Sequence, residues 1–94
     1  MKNPIVCAIQ KEEIPFLKFP KEEVLHNTHQ QKERCTLLKN AMRLGNLERQ
    51  KVKMLFRDNQ GLKRIETTVW GVTDRAVILK QSIILPVNRI LAVN

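Results

Sequence analysis

The chain reads as an α+β domain, one N-terminal helix followed by a five-stranded antiparallel small barrel. Three observations predict this. Lys21 to Leu44 contains neither glycine nor proline. Past Gly45 the apolar residues alternate with a period of two, and short apolar runs separated by turn residues then recur to the end of the chain. Ninety-four residues hold one core, which buries somewhat more than roughly 60% of the unfolded surface. Hydrophobic residues at 43% and charged residues at 28% make an ordinary folded mix. Aromatics are only 4%, so aliphatic side chains must fill that core.

Residues 1–20 read as an extended arm. Pro4, Pro15 and Pro20 each disfavour helix at the preceding residue, while Ile14, Phe16, Leu17 and Phe19 are too apolar for a free tail. The arm is expected to dock on the domain or on a second copy. Residues 21–94 form the single helix-plus-barrel domain, with the helix at 21–44 and the barrel at 50–94. Pro20 suits a first helical turn, and Glu22 and Glu23 suit its positive dipole end. Gly45-Asn46 reads as the stop. Cys35, Leu37, Leu38, Ala41 and Met42 give the second half of the helix an apolar face. His26–Arg34 has no apolar residue, so that part should face solvent, pack on a polar partner or fray.

Val52, Met54 and Phe56 alternate with Lys51, Lys53, Leu55 and Arg57, a half-buried strand with a mostly basic outer face. Asp58-Asn59-Gln60-Gly61 is a turn. Ile65, Thr67 and Val69 point one way in a second strand, and Gly71 marks a bend or bulge in it. Thr73-Asp74 leads into Ala76–Leu79, Gln81-Ser82 into Ile83–Leu85, and Pro86 breaks the ladder before Ile90–Val93. The later strands are apolar on both faces, so the helix or another subunit must cover the second face.

This order, with its proline-marked break before the last strand, resembles the SH3-like barrel of Sm-like proteins of the Hfq type over Val52 to Val93. Gly61-Leu62-Lys63 is similar to that family's glycine turn, Asp74 to Lys80 to its acidic turn and aliphatic strand, and Ile84 to Val93 to its closing pair. The resemblance implies a small barrel and RNA binding. Where the family carries Tyr-Lys-His in its uridine pocket, this chain has Pro86, Val87 and Asn88, so no pocket is carried over. The chain is also similar to a set of short bacterial proteins through Gly45-Asn46-Leu47, Lys51-Val52-Lys53, Glu66 to Trp70, Leu79-Lys80, Pro86 and Arg89-Ile90. That likeness implies no activity.

The net charge of +8 is unevenly placed. Residues 1–31 are neutral, four lysines against four glutamates, and residues 32–94 hold thirteen basic and five acidic side chains. That segregation is the footprint of a polyanion binder. Lys51, Lys53, Arg57, Lys63, Arg64 and Arg75 are the candidate nucleic-acid contacts, tracking phosphates and releasing counterions. Trp70 is the one plausible stacking platform, although a place packed beneath the helix is the preferred reading of it.

His26 and His29 share a helix face, and Cys35 stands near them. No carboxylate completes a metal set at ligand spacing, so no metal or other cofactor is expected. No nucleophile, base and orienter come together in the sequence, and three glycines make no phosphate loop, so no enzyme is expected. Cys7 and Cys35 are too few for a disulfide framework. The apolar stretch Ile5–Ile9 is too short for a secretory core, and the longest apolar runs are far below membrane-spanning length. A cytoplasmic protein follows, with no membrane partner.

Two functions remain open. One is a non-catalytic module binding nucleic acid, RNA foremost, with little sequence preference. The other is a protein–protein module in which arm and helix join copies or recruit another protein, and pairing through the edges of the last two strands would close a homo-oligomer.

Overall fold

The computed structural model describes residues 6–94; of the arm, residues 1–5, with Pro4, lie outside them. The fold is α+β, with one main helix and two sheets. Helix α1 (Thr28–Glu48) begins later than Pro20 suggests. Asn27, in extended backbone, caps it by accepting the backbone N–H of His29 at 2.7 Å and of Gln30 at 3.4 Å. The preceding residues bend and are held out of the helix by tertiary bonds. Arg34 donates to both carboxylate oxygens of Glu23 at 2.6 and 2.8 Å. Val24 N–H donates to the Asn88 carbonyl, Asn88 Nδ2 to the Lys21 carbonyl and Arg89 Nη1 to the Glu22 carbonyl. Those bonds occupy backbone groups that a first helical turn would need.

The helix also runs past Gly45. That residue is buried inside α1, and a Cβ there would lie 2.4 Å from the Val69 carbonyl oxygen. The glycine therefore permits a close helix–strand crossing and does not stop the helix. The stop is Arg49 at φ 54° and ψ 32°, whose N–H donates to the Gly45 carbonyl while Gln50 N–H donates to that of Leu44.

Seven strands form two sheets in place of one five-stranded barrel. The first sheet has the order β1 (Val6–Ala8), β3 (Leu62–Thr67), β2 (Val52–Arg57), β7 (Ile90–Val93). The second has the order β4 (Val69–Val72), β5 (Ala76–Leu79), β6 (Ile83–Pro86). The two extra strands have separate origins. The arm supplies β1, which pairs parallel with β3. The expected second strand splits because Thr67, Thr68 and Val69 are all buried, which breaks the two-residue alternation and turns the chain from one sheet into the other.

The barrel stays open because its seams are covered by other elements. After β1 the arm makes a 3-10 turn at Lys11–Phe16, which touches β3 of one sheet and β6 of the other. Its Ile14 is 2% exposed. Across the molecule α1 packs on β4 and β7, again one strand from each sheet. Between the sheets lie Met54, Phe56, Ile65, Val69, Val77, Leu79, Leu85 and Ile90, all buried, with Leu38 and Ala41 of α1 and Ile14 of the arm. Phe19 adds a tilted ring contact to Phe56 at 6.0 Å. The helix does not cover the outer face of the second sheet, where Ile78 pairs with Ile84 and Ile84 is 60% exposed. Among the described residues no helix is long and apolar enough to cross a membrane.

Candidate nucleic-acid interface

The six basic residues singled out from the sequence do not form one patch. Lys53 and Arg57 on β2 and Arg64 on β3 are exposed on the outer face of the first sheet, and Lys51 is exposed just before β2. Lys53 stands opposite Glu66, Arg64 opposite Leu55 and Arg57 opposite Leu62. The field of this face is therefore partly neutralised at Glu66. Arg57 also has a structural part, since its carbonyl accepts Arg89 Nε at 3.0 Å.

Lys63 alternates to the other face of β3 and is committed to Asp58, with Nζ 3.3 Å from Oδ2. Asp58 is buried, which raises its pKa. The N–H groups of Gln60 and Gly61 and the Lys63 ammonium outweigh that and leave its carboxyl below the usual range. Arg75 is exposed in the β4–β5 turn, where its carbonyl accepts the Val87 N–H. It lines a cleft of about 490 Å³ with Phe19, Lys21, Glu23, Arg34 and Asp74. Two carboxylates share that cleft with three cations, so it offers an anion little net attraction.

A different cleft, of about 570 Å³, opens where the end of α1 meets β4. It is lined by Gly45, Asn46, Arg49, Lys51, Thr68, Trp70 and Lys80. Three cations thus converge with no carboxylate among the lining residues, and none of the three makes an ion pair among the described residues. The aromatic wall is Trp70, which is 46% exposed and not packed beneath the helix as expected. Two features of the backbone explain this. The β4–β5 register shifts between Val69, opposite Leu79, and Gly71, opposite Ile78. Trp70 is therefore the extra residue of a bulge, the local device by which strands re-aim a side chain. At the same place α1 approaches β4 so closely through Gly45 that no space for an indole remains between them.

Arg49 and Lys80 escaped the sequence reading. They are far apart in the chain, one capping α1 and the other following β5, and no spacing relates them. The one local signal was Trp70 next to Gly71, where a strand glycine suggests a bulge. Arg34 and Arg89 were also hidden among the basic residues, yet both are buried and tie the segment before α1 to β7 and to the turn before it. Arg34 Nε is buried without a partner.

Among the described residues no three His, Cys, Asp or Glu side chains gather as a metal site. His26 and His29 are exposed, as are the free thiols Cys7 and Cys35. No protein-family model, curated protein or solved structure matches the chain.

Proposed function

We propose that the chain is a non-catalytic module that binds RNA, or another polyanion, with little sequence preference. The contact runs along the outer face of the first sheet and into the Trp70 cleft. The observation that carries this is the convergence of Arg49, Lys51 and Lys80, none of them ion-paired among the described residues, around a half-exposed indole. Lys51, Lys53 and Arg57 continue the positive charge along β2. Phosphate contacts of this kind supply affinity without reading bases.

The likeness to Sm-like proteins fits this reading in an open, two-sheet form. After α1, β2 is followed by a strand that kinks from β3 into β4, then by β5 and β6, and β7 returns across the Val87–Arg89 turn to pair with β2. A cytoplasmic setting, where thiols stay reduced, goes with the free Cys7 and Cys35.

The test is fluorescence anisotropy of labelled single-stranded RNA at about 50 and 200 mM salt. Three phosphate sites, one among Arg49, Lys51 and Lys80 and one each at Lys53 and Arg57, give a log–log salt slope of roughly −2.1 on a single strand, about a twentyfold loss across that range. Replacing Lys53 and Arg57 together by alanine should reduce the slope by roughly 1.4 and leave the melting temperature nearly unchanged. Absence of binding at the lower salt would reject the proposal.

A second reading, a protein–protein or self-association module, has its own observation. Among the described residues β6 pairs with β5 alone and β7 with β2 alone, and Ile84 on β6 is exposed. Such edges are templates for another strand. Light scattering after size exclusion decides it, because a monomer at high concentration removes the edge-paired oligomer.

A further inference from the structure

We infer that the Trp70 cleft seats a single unpaired nucleotide, its base stacked on the indole and its phosphate held among Arg49, Lys51 and Lys80. This deepens the proposed RNA binding and rests on it. The cleft volume of about 570 Å³ falls within the roughly 300–1,000 Å³ of small-molecule sites. Its lining combines an aromatic ring with three cations, the two kinds of group that a base and a phosphate call for. Asn46 and Thr68 are the other polar residues of the lining, and stacking on an indole tolerates every base, so the seat accepts any base. A duplex keeps its bases stacked on one another and cannot offer a face to Trp70, so the seat selects single strands. The outer sheet face, which has only charge to offer, does not make that distinction.

The backbone at the rim supports the same use. Arg49 occupies the left-handed cap of α1 at φ 54°, where glycine is the residue without steric cost. An arginine there is strained by its Cβ, and its side chain lines the cleft. Trp70 likewise faces outward because a bulge interrupts the ladder at its position.

Trp70 is the sole tryptophan of the chain, so its emission reports this cleft and nothing else. The experiment titrates the full chain at about 50 mM salt with an eight-nucleotide uridine RNA and with a duplex RNA of equal length. It reads tryptophan emission and, separately, the anisotropy of labelled RNA. The single strand should quench Trp70, and the duplex should bind by anisotropy without quenching. Trp70→Ala should weaken single-strand binding roughly 5- to 150-fold and leave duplex affinity unchanged, and Trp70→Phe should restore part of the loss. Arg49→Gly should weaken single-strand binding while holding or raising the melting temperature, since glycine relieves the cap.

Single-strand binding without quenching, and unchanged in Trp70→Ala, would overturn the seat and leave the basic-surface reading standing. Equal losses for single strand and duplex in Trp70→Ala, with a lowered melting temperature, would make Trp70 structural and likewise overturn the seat. Failure of both RNAs to bind the unaltered chain would overturn both.

Discussion

Replacing Gly45 by alanine sets two effects of opposite sign against each other. Alanine is preferred over glycine inside a helix by about 1 kcal/mol, so helix propensity alone predicts stabilisation. The structure predicts the reverse. The new Cβ would stand 2.4 Å from the Val69 carbonyl oxygen and 2.9 Å from Thr68 Cγ2. The first obstacle is backbone in a paired strand and cannot rotate away. To restore ordinary contact, α1 must back off β4 by about 1 Å, and a gap of that size forfeits up to about half of each dispersion contact it opens. Those contacts belong to the buried helix face that includes Leu38 and Ala41. Overpacking costs about 1–3 kcal/mol, and a rigid obstacle puts this site near the upper end. Subtracting the propensity gain of about 1 kcal/mol leaves a net loss of about 2 kcal/mol. For a domain of this size that is a fall in Tm of roughly 8–16 °C. Urea unfolding followed by circular dichroism should show a lower midpoint at unchanged slope. Gly71→Ala is the control, because its Cβ would meet only the Ile78 side chain, tightest at the flexible Cδ1 at 3.3 Å and otherwise at ordinary contact distance, and should be close to neutral. A Gly45→Ala variant as stable as the unaltered chain, or more so, would refute the close-crossing argument.

Two further outcomes follow from the packing and the charges. Ile14→Ala should lower stability by about 2–4 kcal/mol, the cost of a cavity where a buried aliphatic side chain stood; a loss below about 0.5 kcal/mol, the range of ordinary surface changes, would mean that the arm does not close the seam between the sheets. Glu23 is held below its usual 4.5, chiefly by the hydrogen bonds from Arg34, with burial opposing and the Leu25 N–H assisting. A carboxyl with a lowered folded pKa stabilises fully above its unfolded value and loses that contribution as pH falls through the folded one. Tm should therefore drop as pH falls below about 4.5, and Glu23→Gln should flatten that drop while lowering Tm at neutral pH. Asp58 titrates in the same direction, so part of the drop should remain. Identical pH profiles for Glu23→Gln and the unaltered chain would remove the Arg34 pair as its source.

Much of the fold is legible in local pattern. The alternation Val52, Met54, Phe56 marks three buried residues of β2, and Ile65 and Thr67 mark the inner face of β3. The turn Asp58–Gly61 is held by the hydrogen bonds that its residue types imply, Asp58 Oδ1 accepting the N–H groups of Gln60 and Gly61. The start of the helix was not legible from Pro20 and Glu23. Glu23 answers to Arg34, a partner brought to it through space, and the nearer Asn27 cap then decides the boundary. Nor was the splitting of the second strand, since Thr67 and Thr68 are equally at home on either face until Val69 must join the second sheet.

The candidate site divides in the same way. Composition and the placement of charge determined that residues 32–94 present a basic surface, and two-residue periodicity determined that Lys53 and Arg57 stand on the solvent face of β2. Periodicity acts between neighbours in the chain, so these properties needed no tertiary information. Tertiary structure alone decided that Lys63 turns inward to Asp58, that Arg34 and Arg89 serve as buried ties, and that Arg49, Lys51 and Lys80 meet beside Trp70. The physical reason is the close crossing of α1 over β4 at Gly45 and the bulge at Trp70. Together they bring a helix end and a strand end within one cleft, and no local pattern encodes that distance.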